Sequence, residues 1–108
     1  MQVNVTGRHM GVSDALKAYC TEKAQRLSRF LDRIQTVNII VDGKDGMHTA
    51  EMIVHAAGCQ PFVASESQED AFAAIDLLMD KIEAQIRRYK ERCRNRKHPP
   101  QVGEAPPL

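Results

Sequence analysis

The sequence predicts an α+β domain in the order β-α-β-β-β-α, a two-layer sandwich whose four-stranded mixed sheet carries both helices on one face. Three observations point there. Two stretches each hold a single apolar stripe at helical spacing. Four shorter stretches are β-branched or alternate apolar with polar residues. Turn-forming residues separate the last three of these strands. A helical crossover makes the first two strands parallel, and the short links that follow make an antiparallel meander. Helices with one apolar stripe each must bury it against the sheet, side by side.

Residues 2–6 alternate, with Val3 and Val5 on one side, and Gly7 marks the end of this strand. Ser13 is placed to cap the first helix, with Asp14 favoured by the helix dipole. Leu16, Tyr19, Cys20, Leu27, Phe30, Leu31 and Ile34 then hold one helical face to about position 34. Residues 36–41 are a β-branched second strand, and the pairs Asp42-Gly43 and Asp45-Gly46 supply turns before a third strand at 48–56. Gly58 turns the chain again, and 62–65 form a short fourth strand, with Pro61 indicating a strand start or an edge. Ser67-x-x-Asp70 resembles a capping box and opens a long helix striped by Ala71, Ile75, Leu78, Met79, Ile82, Ile86 and Tyr89. The domain is expected to span 1–93. Residues 94–108 are basic and then proline-rich, with four of the five prolines, and are expected to be a disordered tail.

A chain of 108 residues is long enough for one core, which must be aliphatic because there are three Phe, two Tyr and no Trp. The formal net charge of +1 conceals segregation. Residues 1–35 have six cations against three anions, residues 36–80 one against eight, and residues 81–108 eight against three. Such sorting points to a polyanionic partner for the two ends of the chain. Cys20, Cys59 and Cys93 form no C-x-x-C pair, so reduced thiols are expected rather than a disulfide framework or a zinc site. No leader-like opening and no apolar run of about 20 residues is present, so a cytoplasmic protein is expected.

The cations fall on particular helix flanks when residues are set at helical angles. Lys81, Arg88 and Arg92 share one flank of the second stripe, and Asp76, Glu83, Arg87 and Arg94 share the other, where Glu83 and Arg87 are spaced to pair. Arg26, Arg29 and Arg33 share a flank of the first helix. Lys23 falls inside the first stripe, where it either snorkels over core surface or reaches the groove between the helices to join a shared cationic ridge. The cations at 90–97 continue beyond the apolar stripe, where they suit phosphate contacts better than packing. No aromatic pair lies on a strand, so backbone or shape recognition of folded RNA is favoured over base stacking.

Signals for catalysis are weak. His9, His48, His55 and His98 make no H-x-x-x-H pair or Cys/His cluster, and no phosphate-cradling glycine motif occurs. No cofactor, metal or small-molecule substrate is expected. His55 should lie on the open sheet face, on the solvent or partner side. A hydrolase with a Cys or His nucleophile is the least favoured class, and its signature is His55 meeting a cysteine in a concave pocket.

The opening Met1-Gln2-Val3-Asn4-Val5-Thr6-Gly7-Arg8 resembles that of the ribosome hibernation-promoting factors and ribosome-associated inhibitors. So do Ser13-Asp14-Ala15-Leu16, the Lys23 to Leu27 segment, Phe30-Leu31-Asp32-Arg33-Ile34 and His48-Thr49-Ala50-Glu51. Asp70-Ala71-Phe72-Ala73-Ala74-Ile75-Asp76 and the stretch from Asp80 to Lys90 complete the resemblance, over residues 1–92. It implies a fold similar to the double-stranded-RNA-binding domain. It also implies a non-enzymatic factor that binds the small ribosomal subunit in the mRNA and tRNA decoding channel and inhibits translation in stationary or stressed cells. By matching position, Lys23, Arg26, Lys81, Arg88, Lys90 and Arg92 are implied to meet rRNA phosphates. Ala84 stands where a basic residue is common, Phe72 where Tyr is frequent, and Tyr89 where His is often found. The chain is expected to be of the short type, without the C-terminal domain that pairs ribosomes in long members. The alternative is a general double-stranded-RNA-binding module not specific to the ribosome.

Overall fold

The structure, a computed structural model, describes residues 1–97. Strand β1 (Gln2–Arg8) leads to helix α1 (Asp14–Arg26), followed by a 3-10 turn over Leu27–Arg29. Strands β2 (Ile34–Lys44), β3 (Met47–Ala56) and β4 (Phe62–Gln68) precede helix α2 (Ala71–Lys97). The sheet order is β1-β2-β3-β4, with β1 parallel to β2 and the other neighbours antiparallel. The predicted sandwich, with a mixed sheet and two helices on one face, is the observed fold.

Alternation along the strands decides which face is covered. Val37, Ile39 and Val41 of β2, Ala50, Met52 and Val54 of β3, and Phe62 and Ala64 of β4 are buried beneath the helices. Leu16, Cys20 and Ala24 of α1, Leu27 of the turn, and Ala74, Ile75, Leu78, Ile82 and Ile86 of α2 close the core from above. Each fully buried Leu, Ile or Val is worth about 1.5–3 kcal/mol relative to exposure, so this aliphatic layer is the main source of stability. The other sheet face is open and mostly polar: Asn4 donates to Asn38 (2.9 Å), and Thr49 and Ser67 pair by their hydroxyls (2.8 Å). His55 is exposed there.

Local signals explain the element ends. The Ser13 hydroxyl accepts from the Leu16 amide at 3.1 Å, the predicted cap. Lys44 pairs with Met47 across a two-residue loop, with Asp45 at φ 55° and Gly46 at φ 79°. Both residues lie in the left-handed region that suits a tight hairpin turn.

Several boundaries differ from the sequence reading. The first helix ends at Arg26 rather than near position 34, because Phe30 and Leu31 both donate to the Leu27 carbonyl and tighten the chain into a turn. Ile34 satisfies helical spacing, yet it is β-branched and opens β2 opposite Ala56. Gly7 lies inside β1, where a Cβ would collide with the Met10 carbonyl oxygen, and Gly43 lies inside β2 with the Met10 sulfur packed over it. The predicted capping box is absent: Ser67 is a strand residue paired with Thr49, and Asp70 alone caps α2 by accepting from the Phe72 amide at 3.0 Å. The continued β4 ladder takes Ser67 out of reach of the helix start. Helix α2 runs on to Lys97, four residues past the expected domain end, and the proline-rich segment from 98 lies outside the described residues.

Candidate nucleic-acid interface

Helix α2 carries its cations on two flanks that face different neighbours. Lys81, Gln85, Arg88 and Arg92 follow one another by four, three and four residues, so they share one side of the helix. That side overhangs β4, the outer strand. Lys81 donates to the Ser65 carbonyl (2.9 Å) and forms an ion pair with Glu66 (3.1 Å), and Gln85 donates to the Val63 carbonyl (2.8 Å). These bonds occupy carbonyls that an edge strand leaves exposed. Arg88 and Arg92 continue the same side over Gly58, Cys59, Gln60, Pro61 and Phe62.

The opposite flank of α2 faces α1. There Asp76 accepts a short hydrogen bond from the Tyr19 hydroxyl and lies 3.8 Å from the Lys23 ammonium, which also sits 5.1 Å from the centre of the Tyr19 ring. The hydrogen bond to Asp76 is the main reason the Tyr19 pKa is pushed up to about 12. Lys23 exposes only 21% of its side chain. Lys23 and Arg26 share this groove with Asp76, Asp80 and Glu83, so its two cations face three anions. Lys23 thus reaches the groove and meets a carboxylate there. Among the described residues Lys23 pairs with Asp76 and Lys81 with Glu66, His9 Nδ1 is hydrogen-bonded to Asp42 at 2.9 Å, and Glu83 and Arg87 do not pair.

The cations converge toward the C-terminal end of α2. Lys90 donates to the Phe30 carbonyl at 2.6 Å, which ties the helix to the turn after α1. Arg29, Arg33, Lys90 and Arg94 line one hollow beside Phe30 and Leu31, with Asp32 as its only anion among the described residues. Arg87, Lys90 and Arg94 line a smaller hollow over Phe30 and Ile86. Cations at a helix C-terminus are favoured by its dipole, typically by about 0.3–1 kcal/mol each. Between Arg87 and Arg94 the only anion is Glu91, and because the dipole effect falls off within the last turn, Arg87, Arg88 and Lys90 lie beyond its reach.

Of the six site residues implied by the resemblance, Arg88 and Arg92 come together on the β4 side and Lys23 and Arg26 in the helix groove. Lys90 lies at the turn after α1, and Lys81 is anchored on Glu66. The single ridge running from α1 to the Lys81 flank is therefore divided by α2 itself. Arg29, Arg33 and Arg94 were not among the site residues. A straight helix to position 34 carries Arg29 and Arg33 along α1, whereas the 3-10 turn swings them to the end of α2. The spacing of Phe30 and Leu31 from Leu27 is helical, so it carries no signal of the break.

His55 sits on the open sheet face, and among the described residues no histidine lines the cavity that holds Cys59 and Cys93. Among the described residues no group of three His, Cys, Asp or Glu is arranged to hold a metal ion. No described helix is long and apolar enough to cross a membrane.

The fold and this surface define a small α+β domain that concentrates positive charge at the far end of its last helix. Residues 3–94 match the family described as Sigma 54 modulation protein / S30EA ribosomal protein, and the chain belongs to that family. A ribosome hibernation promoting factor of Azotobacter vinelandii is 38% identical over 106 residues, covering 98% of each chain. That of Escherichia coli K12 is 32% identical over 94 residues, 87% of this chain and 98% of the other. Among solved structures, a ribosomal subunit interface protein from Coxiella burnetii superimposes with a TM-score of 0.78 at 27% identity, covering 84% of this chain and 99% of that one. The N-terminal domain of Thermus thermophilus Protein Y gives 0.74 at 27% identity, covering 82% and 99%.

Proposed function

We propose that this protein is a ribosome hibernation factor that acts in the cytoplasm, binds the small ribosomal subunit in the mRNA and tRNA decoding channel, and inhibits translation in stationary or stressed cells. Near full-length similarity to proteins named ribosome hibernation promoting factor supports the role. The observation that carries the binding mode is the convergence of Arg88 and Arg92 on one side of α2, and Arg29, Arg33, Lys90 and Arg94 on the other. Two cationic flanks separated by one helix diameter suit two RNA backbone segments rather than one strand. The open sheet face offers no aromatic platform, so recognition runs through phosphates and shape.

In this reading Arg88, Arg92 and Lys90 make the principal phosphate contacts, Lys23 and Arg26 add a second group, and Lys81 contributes with the part of its side chain that Glu66 leaves free. The protein acts without chemistry of its own: it occupies the space that mRNA and tRNA need. Co-sedimentation with purified small subunits across a salt series tests this. Binding that weakens steeply with salt, and that competes with mRNA, supports the reading. A plain RNA duplex that competes as well as small subunits transfers the protein to the general double-stranded-RNA-binding class.

A further inference from the structure

Cys59 and Cys93 are 34 positions apart in sequence and both line one cavity of about 500 Å³ between the β3–β4 turn and the end of α2. Both are half-buried and free. Tyr89 lines the same cavity, packs edge-to-face on Phe62 with ring centres 5.6 Å apart, and lies one helical turn before Cys93. The neighbouring Cys93 side chain, then burial and Cys59, push the Tyr89 pKa up to about 12. Arg88 and Arg92 line the same cavity. Cation-lined, partly exposed surroundings are those in which thiols react with oxidants. The third cysteine is different. Cys20 is sealed in the core, and burial pushes its pKa up to about 11.

We propose that Cys59 and Cys93 are an oxidation-sensitive thiol pair that closes into a disulfide with peroxide as oxidant, fastening the last turns of α2 to the β3–β4 turn. One thiolate attacks a peroxide oxygen, breaking the O–O bond and giving a sulfenic acid, with the second oxygen leaving as water after protonation. The other thiol attacks that sulfur, the S–S bond forms, and the hydroxyl leaves as a second water. Two thiols lose two electrons and two protons, and one hydrogen peroxide becomes two waters. The bond joins the two walls of the cavity covalently. The turns it fastens carry Arg88 and Arg92.

The test is intact-mass and peptide analysis of the reduced protein after hydrogen peroxide treatment without thiol reductant. The expected product is a monomer lighter by about 2 Da, with one cross-linked peptide pair joining Cys59 to Cys93, reversed by a dithiol. Cys20 should remain reduced, and Cys59→Ser or Cys93→Ser should each abolish the mass loss. The oxidised monomer should also show slower amide exchange in the turns around Arg88 and Arg92. Overoxidised single cysteines, a disulfide-linked dimer, a disulfide involving Cys20, or unchanged amide exchange would each overturn the proposal.

Discussion

The Lys23 ammonium lies 3.8 Å from the Asp76 carboxylate, so a cation of the proposed RNA-binding set is partly neutralised by the protein's own second helix. Asp76 also accepts the Tyr19 hydroxyl, which makes it the link that joins the two helices at this level. Charge at the groove is therefore a compromise between docking α1 on α2 and offering a cation to solvent.

Asp76→Asn should shift that compromise. Two charges about 4 Å apart in water interact by about 1 kcal/mol, so removing the anion should tighten binding to small subunits by a few fold at low salt. The effect should fade as salt rises. Both tyrosines of the chain are pushed up to about 12 in the fold, so an ultraviolet titration of the wild type should show little tyrosinate near the ordinary value of about 10. A raised folded-state pKa means stability present below about pH 10 and lost as pH climbs toward 12. In Asp76→Asn, Tyr19 should ionise earlier and its share of that alkaline loss should shrink. A Tyr19 titration unmoved by the substitution would contradict the Asp76 link.

Arg88→Glu combined with Arg92→Glu tests the β4 side of the interface. Neither guanidinium is among the hydrogen-bonded or ion-paired side chains of the described residues, so the thermal midpoint should stay within about 0.5 kcal/mol of wild type in stability terms. Co-sedimentation with small subunits should be lost at moderate salt, and the log–log salt slope should fall by about two. Retained binding with an unchanged slope would remove Arg88 and Arg92 from the interface.

The fold was legible because its signals are local and redundant. Alternation in β1, the Ser13 cap and the stripe from Ala71 to Ile86 each specify an element without help from its neighbours. Legibility failed where one residue satisfied two patterns. Ile34 fits both a helical face and a strand start, and Ser67 fits both a helix cap and a strand ladder; long-range pairing with Ala56 and Thr49 decided each case. The candidate interface was partly legible for the same reason. Helical angles placed Lys81, Arg88 and Arg92 on one flank, but no angle shows that this flank faces β4 while Lys23 faces Asp76. Which side of α2 docks on which neighbour is a property of the packed layers.

Lys81 is predicted to be as much a structural residue as a ligand of RNA. Its ammonium spans the Ser65 carbonyl and the Glu66 carboxylate while half of the side chain remains exposed. Lys81→Ala should cost about 0.5–1 kcal/mol, since the pair is partly solvated. For a domain of this size that corresponds to a fall of about 2–8 °C in melting temperature. Lys81→Glu should cost more, because it sets a second carboxylate against Glu66. Adding Glu66→Lys to Lys81→Glu should recover most of the difference between these two variants. A double variant no more stable than Lys81→Glu alone would show that the ion pair has no part in fastening α2 to β4.

Arg33 is the residue where backbone conformation and charge make separable demands. Its φ of 70° is left-handed, a region that costs a residue with a Cβ about 1–2 kcal/mol. The position is held by the chain reversal between the 3-10 turn and β2, where the Arg33 carbonyl accepts from the Ala57 amide at 3.0 Å. Glycine removes the steric cost but adds about 0.4–1 kcal/mol of unfolded-chain freedom. Arg33→Gly should therefore leave stability unchanged or raise it by up to about 1 kcal/mol. The guanidinium lines the hollow with Arg29, Lys90 and Arg94, so the same substitution should weaken small-subunit binding and lower the salt slope by about one. Arg33→Lys should keep the slope and the strained backbone together. If Arg33→Gly proves neutral in both stability and salt slope, the hollow after α1 is not part of the interface, and the arginine's conformation needs a different explanation.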